Sequence, residues 1–204
     1  EFAALMLGVL LVNLPYWSAA VLPIHDTLFH FQAFHVFYSE WVTNGQLARW
    51  IPYGTYGWTS AVEQLTFLSP VTYVVALIGR LLRITDALAL FKATLLLEQC
   101  VLVAGMYLAS RRLFARRSTV WMVCLATLGS TVWYAQSYFN FRMFYLFPLV
   151  VYALVRFTES RRPAWVWGAG IVTLIWALGN VAYFAALWAF VLLILALVIG
   201  VRER

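Results

Sequence analysis

The 204-residue sequence is 64% hydrophobic, 18% aromatic and only 11% charged, with a mean hydropathy of +0.85 and a net charge of +6. A soluble domain is about a quarter charged, so this composition excludes an ordinary soluble fold and predicts an all-α integral membrane protein. The positive charge does not point to nucleic acid: the arginines sit in short clusters beside apolar runs, the pattern of cytoplasmic loops under the positive-inside rule.

The chain opens on Glu1 and closes on "VRER" directly after an apolar run, and so reads as the N-terminal part of a longer protein. A span needs about 20 apolar residues at 1.5 Å each, and Phe2–Leu22 is the first. Pro23, Ile24 and His25 at its end lack a small-residue cleavage signature, so the run reads as an anchor and not a signal peptide. Thr27–Asn44 follows as a predicted helix, capped by Asp26 or Thr27 and stopped at Asn44-Gly45. Phe31, Phe34, Tyr38 and Trp41 recur at i, i+3, i+7 and i+10 on one apolar face. Such a helix is expected to lie on the membrane with its rings at headgroup depth. A turn-rich stretch comes next, in which Gly45, Pro52, Gly54 and Gly57 alternate with Trp50, Tyr53, Tyr56 and Trp58. Those aromatics form either a platform for the apolar face of a sugar or an interfacial belt.

Pro70–Leu82 would reach only about 20 Å as a helix. The basic loops "RRLFARR", "ESRRP" and "RER" are two spans apart and fall on one side, and reading this segment as interfacial or re-entrant puts both chain ends on that side. Ala87–Ser110, Ser118–Ser137 and Phe141–Phe157 are the next spans. Ala164–Val201 would be about 57 Å as one helix, so it is expected to be two, breaking near Gly179-Asn180. The layout is a single transmembrane domain, 1–204, with six spans, both ends cytoplasmic and an extracytoplasmic loop from Pro23 to Asp86. That loop carries all three histidines together with Asp26, Glu40, Glu63 and Asp86.

The polar residues each admit a structural and a chemical reading. Asp26 either caps the loop helix or acts as a base or metal-assisting carboxylate. His25 is an interfacial polar residue or an acid/base group, and Glu63 is a solvated loop residue or a second carboxylate. His30 and His35 are five apart and do not stack on one helix face, which argues against a three-histidine metal site. Arg142, in "SYFNFRMF", lies on the outer side against the charge rule. It is there to bind phosphate or to snorkel to headgroups. Arg49, Arg80, Arg83 and Lys92 fall outside or near that face, Arg80 and Arg83 as headgroup anchors. Glu98-Gln99 lies mid-span, where a carboxylate needs partners, and an interhelical hydrogen bond is the expected role. Cys100 and Cys124 both lie in apolar runs and imply no disulfide framework. There is no glycine-rich phosphate cradle, Ser–His–Asp set or zinc motif.

The order of these features resembles a known family. A first span ends in an Asp-containing motif, an amphipathic helix follows, and then comes "G-x-L-x-x-W-x-P-Y-x-x-x-G" at Gly45, Leu47, Trp50, Pro52, Tyr53 and Gly57. Glu63, the Pro-started helix Pro70–Leu82 and a span ending in "ASRRLFARR" complete it. Over residues 1–160 this layout resembles the membrane-embedded GT-C glycosyltransferases, in particular their bacterial YfhO-like and mannosyltransferase-like branches. It departs from many of them at Ala48, where they carry proline, and in lacking a tandem proline at Pro70. The resemblance implies transfer of a sugar from a polyprenyl-phosphate donor to a glycan or lipid acceptor at the outer face of a bacterial plasma membrane. It implies Asp26 as catalytic base; His25 and Glu63 stand beside it as further acid/base candidates, and Trp50, Tyr53 and Tyr56 as candidates to contact substrate. The leaving lipid phosphate needs a cation, either an arginine such as Arg142 or a divalent metal. Two competing functions are a lipid or polymer transporter lined by Lys92, Glu98 and Asn180, and a non-catalytic membrane scaffold. The chain shows no internal repeat of the kind common in transporters.

Overall fold

The computed structural model describes residues 1–17, 26–46, 50–51, 58–59, 69–130 and 142–177. Among them the fold is helical. In chain order it contains α1 (Phe2–Trp17), α2 (Asp26–Asn44), α3 (Pro70–Leu81), α4 (Ala87–Leu113), α5 (Arg117–Leu128), α6 (Phe147–Ser160) and α7 (Pro163–Ala177). A 3-10 turn, Arg142–Leu146, leads into α6, and a two-residue antiparallel ladder pairs β1 (Trp50–Ile51) with β2 (Trp58–Thr59). The helix boundaries follow local chemistry. Gly45, at φ 66, ends α2 at the expected Asn-Gly stop. Asp86 caps α4 by accepting from the Ala89 N–H at 3.0 Å. Pro70 starts α3 at the first helical position, where its missing N–H costs nothing.

Helix α4 is the axis of the fold. At 27 residues, it alone among the described residues is long and apolar enough to cross a membrane. Shorter apolar helices run over Phe2–Pro15, Pro70–Leu81, Arg117–Leu128 and Pro163–Ala177. The expected spans Phe2–Leu22 and Ala164–Val201 continue into residues outside the described set, where the break expected at Gly179-Asn180 also lies. The helix expected over Ser118–Ser137 ends already at Leu128, where the Gly129 N–H bonds the Leu125 carbonyl.

Three cores form around α4. Its N-terminal half packs with α2 and α3 through Phe34, Phe37, Tyr38, Val75, Ala76, Leu90 and Phe91. Its C-terminal half packs with α1 and α5 through Leu5, Val9, Val103, Tyr107, Val120 and Cys124. The third core joins α6, α7 and the 3-10 turn through Tyr145, Val150, Ala169 and Trp176, with Val71, Val101 and Leu102 against it. Gly105 lets the α6 backbone come close to α4: a Cβ there would meet the Leu149 backbone nitrogen at 3.2 Å.

The aromatic stripe on α2 differs from expectation in what covers it. Phe34 and Tyr38 are buried, and Phe31 and Trp41 pack on the same cluster. The rings therefore lie against α3 and α4, with Phe31 and Phe34 at 5.5 and 5.8 Å from Phe91, and are not presented to headgroups. An apolar face is equally satisfied by protein or by lipid, and here protein takes it.

The outer surface is apolar. Leu7, Leu10, Leu11 and Leu14 of α1, Val74, Leu77, Ile78 and Leu81 of α3, and Trp167, Ile171 and Leu174 of α7 are all exposed at helical spacing. Trp167 is 74% exposed and Leu174 71%. Asn13, Ser69, Thr72, Lys92, Thr94, Glu98 and Gln99 are buried instead.

The basic loops gather at one end of α4. Arg112 of "RRLFARR" lies 3.7 Å from Glu159 of "ESRRP", and Arg117 lies 3.6 Å from Glu1 at the start of α1.

Candidate functional site

The polar interior is organised by α4. Ser69 occupies the N-cap position of α3, where a serine hydroxyl ordinarily accepts from the helix's own first turn. Here it makes no such cap; it donates to Glu98 Oε1, with Thr72 Oγ1 3.3 Å away. One residue on, Gln99 Oε1 accepts from Asn13 Nδ2 at 2.6 Å, and the same amide donates to the Val9 carbonyl at 2.7 Å. Thr94 donates to the Leu90 carbonyl at 3.1 Å. Adjacent residues on α4 thus tie two different helices, α3 through Glu98 and α1 through Gln99. The expected interhelical role of Glu98-Gln99 is found, with Ser69 and Asn13 as partners that the sequence did not single out.

Helix registers fix what else lies at the level of Glu98. Helix α3 runs antiparallel to α4, from Ser69 beside Glu98 to Gly79 against Leu90. Helix α2 is also antiparallel to α4: its Tyr38 hydroxyl donates to the Ile84 carbonyl and its Phe31 ring meets Phe91. From Phe31 back to Asp26 is about 7.5 Å of helix, and from Phe91 on to Glu98 about 10.5 Å. The start of α2 therefore falls within about one turn of Glu98 along the α4 axis. Helix α6 runs parallel to α4, with Pro148 and Leu149 against Gly105 and Glu159 near Arg112. The 3-10 rise of about 2 Å per residue carries the chain back from there to Arg142, again about level with Glu98.

The backbones of Asp26 and Arg142, expected at the outer end of the spans, are thus brought to the level of the Ser69–Glu98 pair near the middle of α4. His25, Glu63, Tyr53 and Tyr56 lie outside the described residues, and Trp50 is placed only as the β1 partner of Thr59. Lys92, expected near the outer face, is 7% exposed on α4. Arg80 stacks over Trp41 at 5.3 Å, holding the far end of α3 to α2. Among the described residues no three His, Cys, Asp or Glu side chains group as a metal site.

A second polar centre lies at the basic end. Tyr107 donates to Glu1 Oε2 at 3.0 Å and accepts from Arg111 Nη1 at 3.1 Å. The Tyr107 hydrogen bond is the largest influence on the Glu1 carboxyl; it outweighs desolvation and, with the charges of Arg117 and Arg111, holds the group below its usual range. Arg156 bonds Glu159 at 2.8 Å and stacks on Trp165 at 5.2 Å.

No protein-family model, curated protein or solved structure matches the chain.

Proposed function

We propose that the chain is part of a multi-pass membrane glycosyltransferase that moves a sugar from a polyprenyl-phosphate donor to a glycan or lipid acceptor at the outer membrane face. Its inverted surface supports the membrane half of this reading. Leucines, Trp167 and Ile171 face outward while Glu98, Gln99, Asn13 and Ser69 face inward. Exposed apolar stripes of this kind are unstable in water and ordinary against acyl chains.

The observation that carries the chemical half is the common level of Asp26, Arg142 and Glu98 on the α4 axis. A transfer site needs a carboxylate and a phosphate-binding cation near one another. In the reaction the acceptor hydroxyl oxygen attacks the anomeric carbon as the bond from that carbon to the donor phosphate breaks. Asp26 takes the hydroxyl proton, and the lipid phosphate leaves as an anion stabilised by Arg142. His25 and Glu63 are the neighbouring acid/base candidates. Trp50, Tyr53 and Tyr56 are the candidates to hold the sugar face. Ser69 and Glu98 would position the start of α3 beneath the reacting groups.

The buried row Asn13, Gln99, Ser69, Glu98 and Lys92 favours a second reading, a lipid or polymer transporter. Proteoliposomes holding the full-length protein, a labelled polyprenyl-phosphate sugar and an acceptor separate the two. Label made covalent to acceptor supports the enzyme; label that crosses the bilayer on an unchanged lipid supports the transporter.

A further inference from the structure

We infer that a cavity between the basic ends of α4 and α6 binds the phosphate of an anionic lipid headgroup. The cavity has a volume of about 310 Å³ and is lined by Tyr107, Leu108, Arg111, Arg112 and Tyr152. That places it at the small end of the usual range for ligand pockets. Its wall is amphipathic. Leu108 supplies an apolar flank, two consecutive arginines and the Tyr152 hydroxyl supply donors, and the Tyr107 hydroxyl, already donated to Glu1, holds Arg111 in the wall.

Charge selects an anion. Arg111, Arg112, Arg116, Arg117, Arg156, Arg161 and Arg162 crowd this end against Glu1 and Glu159. The acids do not saturate the pocket arginines. Glu159 is hydrogen-bonded by Arg156 at 2.8 Å, while Arg112 stands off the same oxygen at 3.7 Å, beyond hydrogen-bond length. Arg111 keeps 3.8 Å from Glu1. Both side chains are about half exposed, and each guanidinium carries five N–H donors in a fork that matches phosphate oxygens. The pocket sits where α4, α5, α6 and α7 present their ends, the depth at which a membrane protein meets headgroups. The inference rests on the membrane reading and is independent of the transfer chemistry.

The test uses the full-length protein in detergent, titrated separately with dioleoylphosphatidylglycerol, dioleoylphosphatidylcholine and inorganic phosphate, with bound lipid counted by native mass spectrometry. Phosphatidylglycerol is expected to bind at least about tenfold more tightly than phosphatidylcholine. Arg112→Gln should weaken phosphatidylglycerol about fivefold, the effect of one cation near a membrane surface. It should leave phosphatidylcholine unchanged, and Arg112→Lys should retain most of the phosphatidylglycerol binding. Equal affinity for the two lipids overturns the inference. So does unchanged phosphatidylglycerol binding in Arg112→Gln, or equal loss in the Gln and Lys variants. Inorganic phosphate binding as tightly as lipid, with the same Arg112 dependence, reassigns the site to a free anion. Retention in the membrane pellet after an alkaline carbonate wash tests the membrane reading separately.

Discussion

A methyl group added at Gly79 meets two neighbours at once, because α2, α3 and α4 converge there. It would lie 2.7 Å from Leu90 Cδ1 and 2.7 Å from the Tyr38 hydroxyl oxygen. Both side chains are buried, and the Tyr38 hydroxyl is held by its donation to the Ile84 carbonyl, so neither is free to swing away. Overpacking of this kind costs about 1–3 kcal/mol. Replacing a helical glycine with alanine returns about 0.8–1.0 kcal/mol, leaving Gly79→Ala about 0–2 kcal/mol less stable. Tyr38→Phe leaves the Ile84 carbonyl without this donor, a loss of about 1–2 kcal/mol, but it also removes one of the two clashing atoms. The double variant should therefore be more stable than the sum of the singles by at least about 0.5 kcal/mol. Chemical unfolding of the four proteins in one detergent measures this, with Gly168→Ala as control. Gly168 has open space around its Cβ position and should gain up to about 1 kcal/mol. Additivity within about 0.3 kcal/mol would mean that the Tyr38 hydroxyl does not sit over Gly79, and the packing of α2 would have to be redrawn.

Asn13→Leu and Gln99→Leu should each destabilise by about 1–2 kcal/mol, while the double variant recovers part of the loss because no amide is stranded; unfolding midpoints of the three decide it. The Glu1 carboxyl has a folded pKa below its ordinary 4.5, so the charged form is the one that folding favours. Its stabilisation is complete above the ordinary value and is lost as pH falls through the depressed one. The melting difference between wild type and Glu1→Gln should accordingly persist at neutral pH and shrink below about pH 4.5; a difference that grew there would refute the Tyr107–Glu1–Arg111 arrangement. Single cysteines at Gly45 and Ala115 should label from opposite faces of sealed vesicles, since Gly45 lies near Arg80 at one end of α4 and Ala115 follows its other end.

Faces and ends were legible from residue patterns, whereas partners were not. The period of Phe31, Phe34, Tyr38 and Trp41 identifies one face of α2 correctly, but periodicity does not distinguish a protein neighbour from lipid. Asn44-Gly45 marks a helix end because only a residue tolerant of positive φ continues the chain there. The arginine clusters mark loop ends in the sequence, but that Arg112 comes within 3.7 Å of Glu159 is visible only in the fold. Ser69 was hidden because serine before proline reads as an ordinary helix cap, and only the fold shows its hydroxyl turned to Glu98. Asn13 looks like one polar residue in an apolar run until Gln99 is placed 2.6 Å away. The common level of Asp26, Arg142 and Glu98 arises from three helix registers, each set by long-range packing that local sequence does not encode.

The proposed chemistry turns on Asp26. Asp26→Asn keeps the size of the side chain and much of its capping capacity, but it cannot accept a proton. Sugar transfer from a labelled polyprenyl-phosphate donor should be compared for wild type and Asp26→Asn at equal amounts in the same proteoliposomes. Loss of proton transfer is worth about 10²–10⁴-fold in rate, so transfer should fall by that factor with unchanged membrane insertion and melting temperature. Near-normal transfer by Asp26→Asn would contradict the account, leave Asp26 as a helix cap and direct the search for the base to Glu63.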